Sequence, residues 1–195
     1  MTREAHFTQA LHDMQLIMTL ADQEFFIACG TLLGQHRDGC FIPGDDDIDI
    51  GIMYDKLQDD IDSQILQSGL FSKLEHMGCD KESLKMTYKH VNGTKIDIFV
   101  HYPISPGLYY YATHLQFDNG IPRPPTEHGD YLMWVNHIRG LQPVMFCNNT
   151  FLAPVNVEEY LQESYGPDWK IPISYSYQEG VEKKLFKNIK CSCTT

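Results

Sequence analysis

The stretch Pro43-Gly44-Asp45-Asp46-Asp47-Ile48-Asp49-Ile50-Gly51-Ile52 decides how this chain folds. From Asp47 onward acidic and apolar residues alternate with period two, the pattern of a half-buried β-strand. Asp47 and Asp49 then share one face, while Ile48 and Ile50 anchor the other in a core. Like charges packed this tightly destabilise a fold unless something positive neutralises them. A hard divalent cation gripped by carboxylate oxygens is the economical answer. A solvated acidic turn would not interleave with Ile48, Ile50 and Ile52. A calcium loop of the D-x-D-x-D-G type fails twice: Gly51 falls one position late, and Lys56 stands where that loop needs its bidentate acid.

Working outward, Lys95-Ile96-Asp97-Ile98-Phe99-Val100 sets an acid inside an otherwise apolar strand, where it would be costly to bury alone. If that strand lies beside the first, Asp47, Asp49 and Asp97 form a Mg²⁺ site, with Mn²⁺ as a substitute, that keeps positions open for phosphate and water. Upstream, Phe25-Phe26-Ile27-Ala28 reads as a short buried strand broken by Gly30-Thr31. Leu32 to Arg37 reads as a brief helix ending near Gly39. Glycine lets a phosphate approach the backbone, a helix start offers free N–H groups, and the Thr31 hydroxyl adds a donor. Arg37 is a candidate bidentate clamp on the same phosphate. Gly30, Thr31 and Arg37 are therefore the candidate substrate-binding residues.

The remaining chain supplies a frame. Phe7, Leu11, Met14, Met18 and Ala21 predict an amphipathic helix over roughly the first two dozen residues. Asp55 to Gly69 predicts a surface helix, and Phe71–Met77, Leu84–His90 and Lys95–Tyr102 predict strands, the last two joined by a hairpin at Asn92-Gly93. Leu108–Phe117 predicts another strand, followed by the stiff loop Ile121-Pro122-Arg123-Pro124-Pro125. A second hairpin is expected around Cys147-Asn148-Asn149, then a helix capped by Asn156 and Glu159 that ends at Tyr165-Gly166. Helices and strands are mixed, which predicts an α/β (α+β) fold with one mixed sheet flanked by helices. A single catalytic domain is expected over 1–172, with a polar tail over 173–195.

Composition bounds the function. The 195 residues are 43% hydrophobic and 21% charged, enough apolar content for one core and against wholesale disorder. A formal charge of −11 repels nucleic-acid polymers, so an anionic substrate needs a metal ion or a local basic pocket. The six cysteines show no zinc spacing and most read as free thiols, with Cys29 buried. Asn92-Gly93-Thr94 and Asn148-Asn149-Thr150 match the glycosylation triplet, which matters only in a secreted chain. The first residues lead into an amphipathic pattern and no apolar run reaches membrane-spanning length, so neither a leader nor an anchor is expected, and a cytoplasmic protein is expected as the sequence stands. The Golgi or secretory lumen is the alternative for a piece of an anchored chain. His114, His128 and His137 share no short metal spacing and read as surface or hydrogen-bonded residues.

Together, Gly30-Thr31-Leu32-Leu33-Gly34-Gln35-His36-Arg37 and Phe41-Ile42-Pro43-Gly44-Asp45-Asp46-Asp47-Ile48-Asp49-Ile50-Gly51 resemble the signature of the LicD and fukutin family. Lys95-Ile96-Asp97-Ile98-Phe99 resembles its third-aspartate strand. Ala153-Pro154, Tyr160-Leu161 and Tyr165-Gly166-Pro167-Asp168-Trp169 resemble its C-terminal signature. The resemblance implies a nucleotidyltransferase-like fold, Mg²⁺ dependence, and transfer of a phosphorylated alcohol, phosphocholine or ribitol phosphate, from a CDP-linked donor onto a glycan. It implies metal-binding and catalytic roles for Asp47, Asp49 and Asp97, phosphate-side roles for Gly30, Thr31 and Arg37, and structural roles for Gly166 and Trp169. Gly44 stands where the family often has Trp. Two other readings carry their own signatures: nucleotidyl transfer from a nucleoside triphosphate to a small hydroxylated acceptor, and a non-catalytic member binding a glycan or partner through Tyr109-Tyr110-Tyr111.

Overall fold

A computed structural model describes residues 2–79, 82–114, 117–118, 121–122, 130–172 and 187–190. The elements run α1 (Arg3–Leu20), β1 (Phe26–Ile27), α2 (Cys29–Asp38), β2 (Asp47–Met53), a 3₁₀ turn (Tyr54–Lys56), α3 (Ile61–Gln67), β3 (Phe71–Cys79), β4 (Glu82–His90) and β5 (Lys95–Ser105). There follow β6 (Leu108–His114), β7 (Phe117–Asp118), β8 (Ile121–Pro122), β9 (Asp130–His137), β10 (Leu141–Phe146), β11 (Asn149–Pro154), α4 (Val157–Tyr165) and β12 (Lys187–Lys190). Residues 123–125 of the proline-rich loop, His128 and most of the tail lie outside the described residues.

The main sheet is mixed, as expected. Its strands run β1-β2-β5-β6-β9-β12, and β4 joins β3 to β5. The β2–β5 pair is parallel, and the other pairings in this sheet are antiparallel. Ile48, Ile50, Ile52, Ile96, Ile98 and Val100 are fully buried, so the even-numbered faces of β2 and β5 build the core. Tyr88, register partner of Ile96, donates its hydroxyl to Asp62 of α3 at 2.6 Å, which sets α3 on that apolar side. Helix α1 packs beside α3 and buries Phe7, Leu11, Met14 and Met18, the stripe its spacing predicts. The odd-numbered face of β5 meets other partners: Phe99 packs on Tyr111 at 5.1 Å, and Cys29 of α2 lies against the hydroxyls of Tyr111 and Tyr160.

Several local expectations change. The helix expected over 55–69 forms only at Ile61–Gln67. The buried side chain of Gln23 accepts from the Gln58 N–H at 2.8 Å and donates to the Lys56 carbonyl at 3.1 Å, holding the connection open. Helix α2 begins three residues earlier than expected, at Cys29, whose φ of 43° turns the chain straight out of β1. At Asn92-Gly93 only Gly93 has positive φ; Asn92 instead accepts from Thr94 N–H at 3.0 Å and donates to the His6 carbonyl at 2.8 Å. The tight turn with two left-handed residues sits in the second hairpin, at Cys147 (φ 50°) and Asn148 (φ 60°). Asn156 caps α4 without a side-chain cap bond, because its amide is spent on Glu159, its carbonyl oxygen accepts from Arg139 N–H, and Glu159 is held by the Arg139 guanidinium.

Gly51 shows how tightly β1 closes on β2. Phe26 is its register partner, and a Cβ at Gly51 would lie 2.3 Å from the Phe26 ring. Gly51→Ala is therefore expected to lower unfolding free energy by about 1–3 kcal/mol, the usual cost of overpacking, read as a fall in the urea midpoint at unchanged slope.

Candidate metal centre

Parallel pairing of β2 with β5 sets Asp49 directly opposite Asp97 and Asp47 opposite Lys95. Residues two apart on a strand face the same way. Asp47, Asp49 and Asp97 thus converge, each offering a carboxylate oxygen within 4.8 Å of the others. The neighbouring strand adds two groups. Thr87, opposite Asp97 on β4, donates its hydroxyl to Asp97 Oδ1 at 2.6 Å, and Lys85 Nζ lies 2.6 Å from Asp97 Oδ2. Neither was among the sequence candidates, although the hairpin register and the i, i+2 spacing of Lys85 and Thr87 contain the signal.

The first turn of α2 holds Asp49. Gly30 N–H donates to Asp49 Oδ2 at 2.8 Å, and the Asp49 N–H donates to Thr31 Oγ1, also at 2.8 Å. A Cβ at Gly30 would stand 2.9 Å from Asp45 Oδ2 and 3.1 Å from Asp49 Oδ2, so only glycine fits this approach. Gly30 and the buried Thr31 are thus brought to the carboxylates. Arg37 lies seven residues along the helix, about 10 Å of rise from Gly30. Its guanidinium there is forked onto Asp38 at 2.7–3.0 Å. The loop before β2 is tied down by Arg3, which donates to the carbonyls of Asp45 and Ile42.

Crowding leaves its mark on the acids. Loss of solvent, then the charges of Asp97 and Asp45, push the Asp47 carboxyl up to about 7. Loss of solvent and then Asp47 and Asp97 raise Asp49 well above the ordinary range, against the pull of the Gly30 N–H. Asp45 is also raised, mainly by desolvation. Lys95 partly offsets the charge near Asp47 while pairing with the exposed Asp46 at 2.7 Å. The all-oxygen donor set, the mutual repulsion and the glycine-lined approach suit a hard divalent cation.

The sequence profile described as "LicD/FKTN/FKRP, nucleotidyltransferase domain" matches residues 22–156. The chain belongs to the LicD/FKTN/FKRP family. It is 28% identical over 155 residues to "Ribitol-5-phosphate transferase FKTN" of Mus musculus and 26% identical over 156 residues to that of Homo sapiens. Each alignment covers 76% of this chain and 30% of the relative, so the chain matches under a third of those proteins' length. Among solved structures, it is similar to ANT(2")-Ia in complex with adenylyl-2"-tobramycin, with a TM-score of 0.48 and 9% identity, over 90% of this chain and 85% of that one.

In this LicD-family domain the other acidic groupings among the described residues are accounted for. Asp45 and Asp46 extend the main cluster toward solvent. His137, Glu159 and Glu163 also converge, but His137 is bonded to Glu163 at 2.5 Å, and Glu159 accepts two bonds from Arg139. That group ties β9 to α4. Trp169, buried against His36 at 5.6 Å, and Gly166, at φ 85°, take the structural places the signature implies. Gly44, at φ 89°, stands in open space.

The raised acids fix a sign. Between the ordinary carboxylate range and about pH 7 the folded ion-free site holds protons that the unfolded chain has released, so this contribution to stability falls as pH rises. His101, lowered to about 4 by burial, works in the opposite direction below its ordinary value, so the comparison is made with and without ion at each pH. The rise in thermal midpoint on adding Mg²⁺ is expected to be larger at about pH 7.5 than at about pH 5.5, and to be lost in Asp49→Asn. An equal rise at both pH values would contradict the assignment.

Proposed function

We propose that this domain transfers a phosphorylated alcohol, of the phosphocholine or ribitol/glycerol phosphate type, from a CDP-linked donor to a glycan hydroxyl. The observation that carries the reading is the convergence of Asp47, Asp49 and Asp97 on one face of two parallel strands, in a LicD-family chain. These three acids would hold Mg²⁺, with Mn²⁺ as a substitute. When bound, the ion supplies charge neutralisation for the donor's diphosphate and for the departing nucleotide phosphate.

The chain's own residues do the positioning. Asp49 is fixed by its bonds to Gly30 and Thr31, and Asp97 by Thr87 and Lys85, so the carboxylates keep their orientation while substrates exchange. The acceptor oxygen forms a bond to the phosphorus that carries the alcohol, the bond from that phosphorus to the bridging oxygen breaks, and CMP leaves with that oxygen. The hydroxyl proton passes to the carboxylate of Asp97 or Asp49. Arg37, on the far turn of α2, is the candidate clamp for a more distant part of the donor.

Purified chain is assayed for CMP release from CDP-choline, CDP-ribitol and CDP-glycerol, with a glycan acceptor, with and without Mg²⁺. One donor is expected to give Mg²⁺-dependent CMP, and Asp47→Asn is expected to slow it by more than about 100-fold, beyond the loss of an outer-shell partner. Metal-independent release, or full activity in Asp47→Asn, would sink the reading. Pyrophosphate released from a nucleoside triphosphate would instead support nucleotidyl transfer by the same acids.

A further inference from the structure

Lys85 is a buried cation inside an acidic pocket, and its place is set by pairing. Antiparallel β4 sets Lys85 opposite Phe99 and Thr87 opposite Asp97, which turns both side chains toward the carboxylate face. The ammonium lies 2.6 Å from Asp97 Oδ2 and 5.5 Å from the centre of the Phe99 ring, with 13% of the side chain exposed. Lysines ordinarily extend their ammonium into water, so confinement here needs strong local compensation. Glu75, the partner of Thr87 on β3, adds a further negative charge near Lys85.

Charge counting gives this placement a meaning. Coordination requires ionised carboxylates, so Asp47, Asp49 and Asp97 together bring three negative charges. Lys85 offsets one of them, and a single divalent ion balances the remaining two. A second divalent ion sharing Asp97 would meet the Lys85 ammonium, which already stands 2.6 Å from Asp97 Oδ2, and like charges so close repel strongly in a partly desolvated pocket.

We propose that Lys85 is the resident cation of the site, filling by charge and position the place of a second divalent ion, so that the chain by itself takes up one. The inference rests on the reading of the three acids as a metal centre. It makes Lys85 a positioning residue that acts through Asp97.

The test counts bound Mn²⁺ by electron paramagnetic resonance on the nucleotide-free chain. Wild type is expected to bind one Mn²⁺ per chain, Lys85→Met two, and Lys85→Arg one. Lys85→Gln is the second neutral variant should Lys85→Met fail to fold, and it too is expected to bind two. Two ions in the wild type, or one ion in both the wild type and the neutral variant, would overturn the role given to Lys85 while leaving the metal centre intact. No stoichiometric Mn²⁺ in the wild type would remove the metal centre itself and the inference with it.

Discussion

Mutual repulsion among three carboxylates is the constraint around which this domain is arranged. Asp47, Asp49 and Asp97 are gathered within 4.8 Å on a surface partly withdrawn from water, an arrangement no chain adopts without compensation. The compensation comes from several directions at once. Asp49 receives a backbone N–H from the first turn of α2, Asp97 receives a hydroxyl and an ammonium from β4, and Asp47 lies within range of Lys95. On the reverse side, isoleucines of the same two strands hold the backbone in place by burial. The site is expensive, and the core beneath it offsets the cost.

The two faces of β2 and β5 therefore have separate duties. The even positions, Ile48, Ile50, Ile96 and Ile98, are closed off with α1 and α3 on that side; the odd positions carry the acids and continue into Phe99 and Tyr111. A slip of one residue in β2 would exchange the two sets, burying the acids and exposing the isoleucines, so register and chemistry are specified together. Gly51 takes part in this, since its missing side chain lets Phe26 close over the strand.

The alternation in Asp47–Ile52 and in Lys95–Val100 made both acid strands legible, because period two and like-charge crowding are local properties. What lay beyond local reading was who stands beside whom. Leu84-Lys85-Met86-Thr87 reads as an ordinary strand with two polar side chains turned outward, and only its register with β5 reveals that this outward face is the site. The same holds for Gly30 and Thr31: their place next to the acids was readable, but their bonds to Asp49 depend on how closely α2 descends on β2. Capping at Asn156 and the turn at Asn92 went elsewhere for a related reason, since distant partners, Arg139 and the His6 carbonyl, claimed side chains that local rules assign nearby.

The parallel pairing of β2 with β5 has a consequence for biogenesis. A parallel pair cannot be closed by a tight turn, and here α3, β3 and β4 must be laid down before residue 97 can come alongside residue 49. A ribosome-bound or truncated chain that stops short of β5 possesses Asp47 and Asp49 but lacks Asp97, so the trio proposed to hold the ion is incomplete. With the trio holding its ion as proposed, cation retention on a gel-filtration column would serve as a conformational assay, separating molecules with the completed topology from compact but misassembled ones.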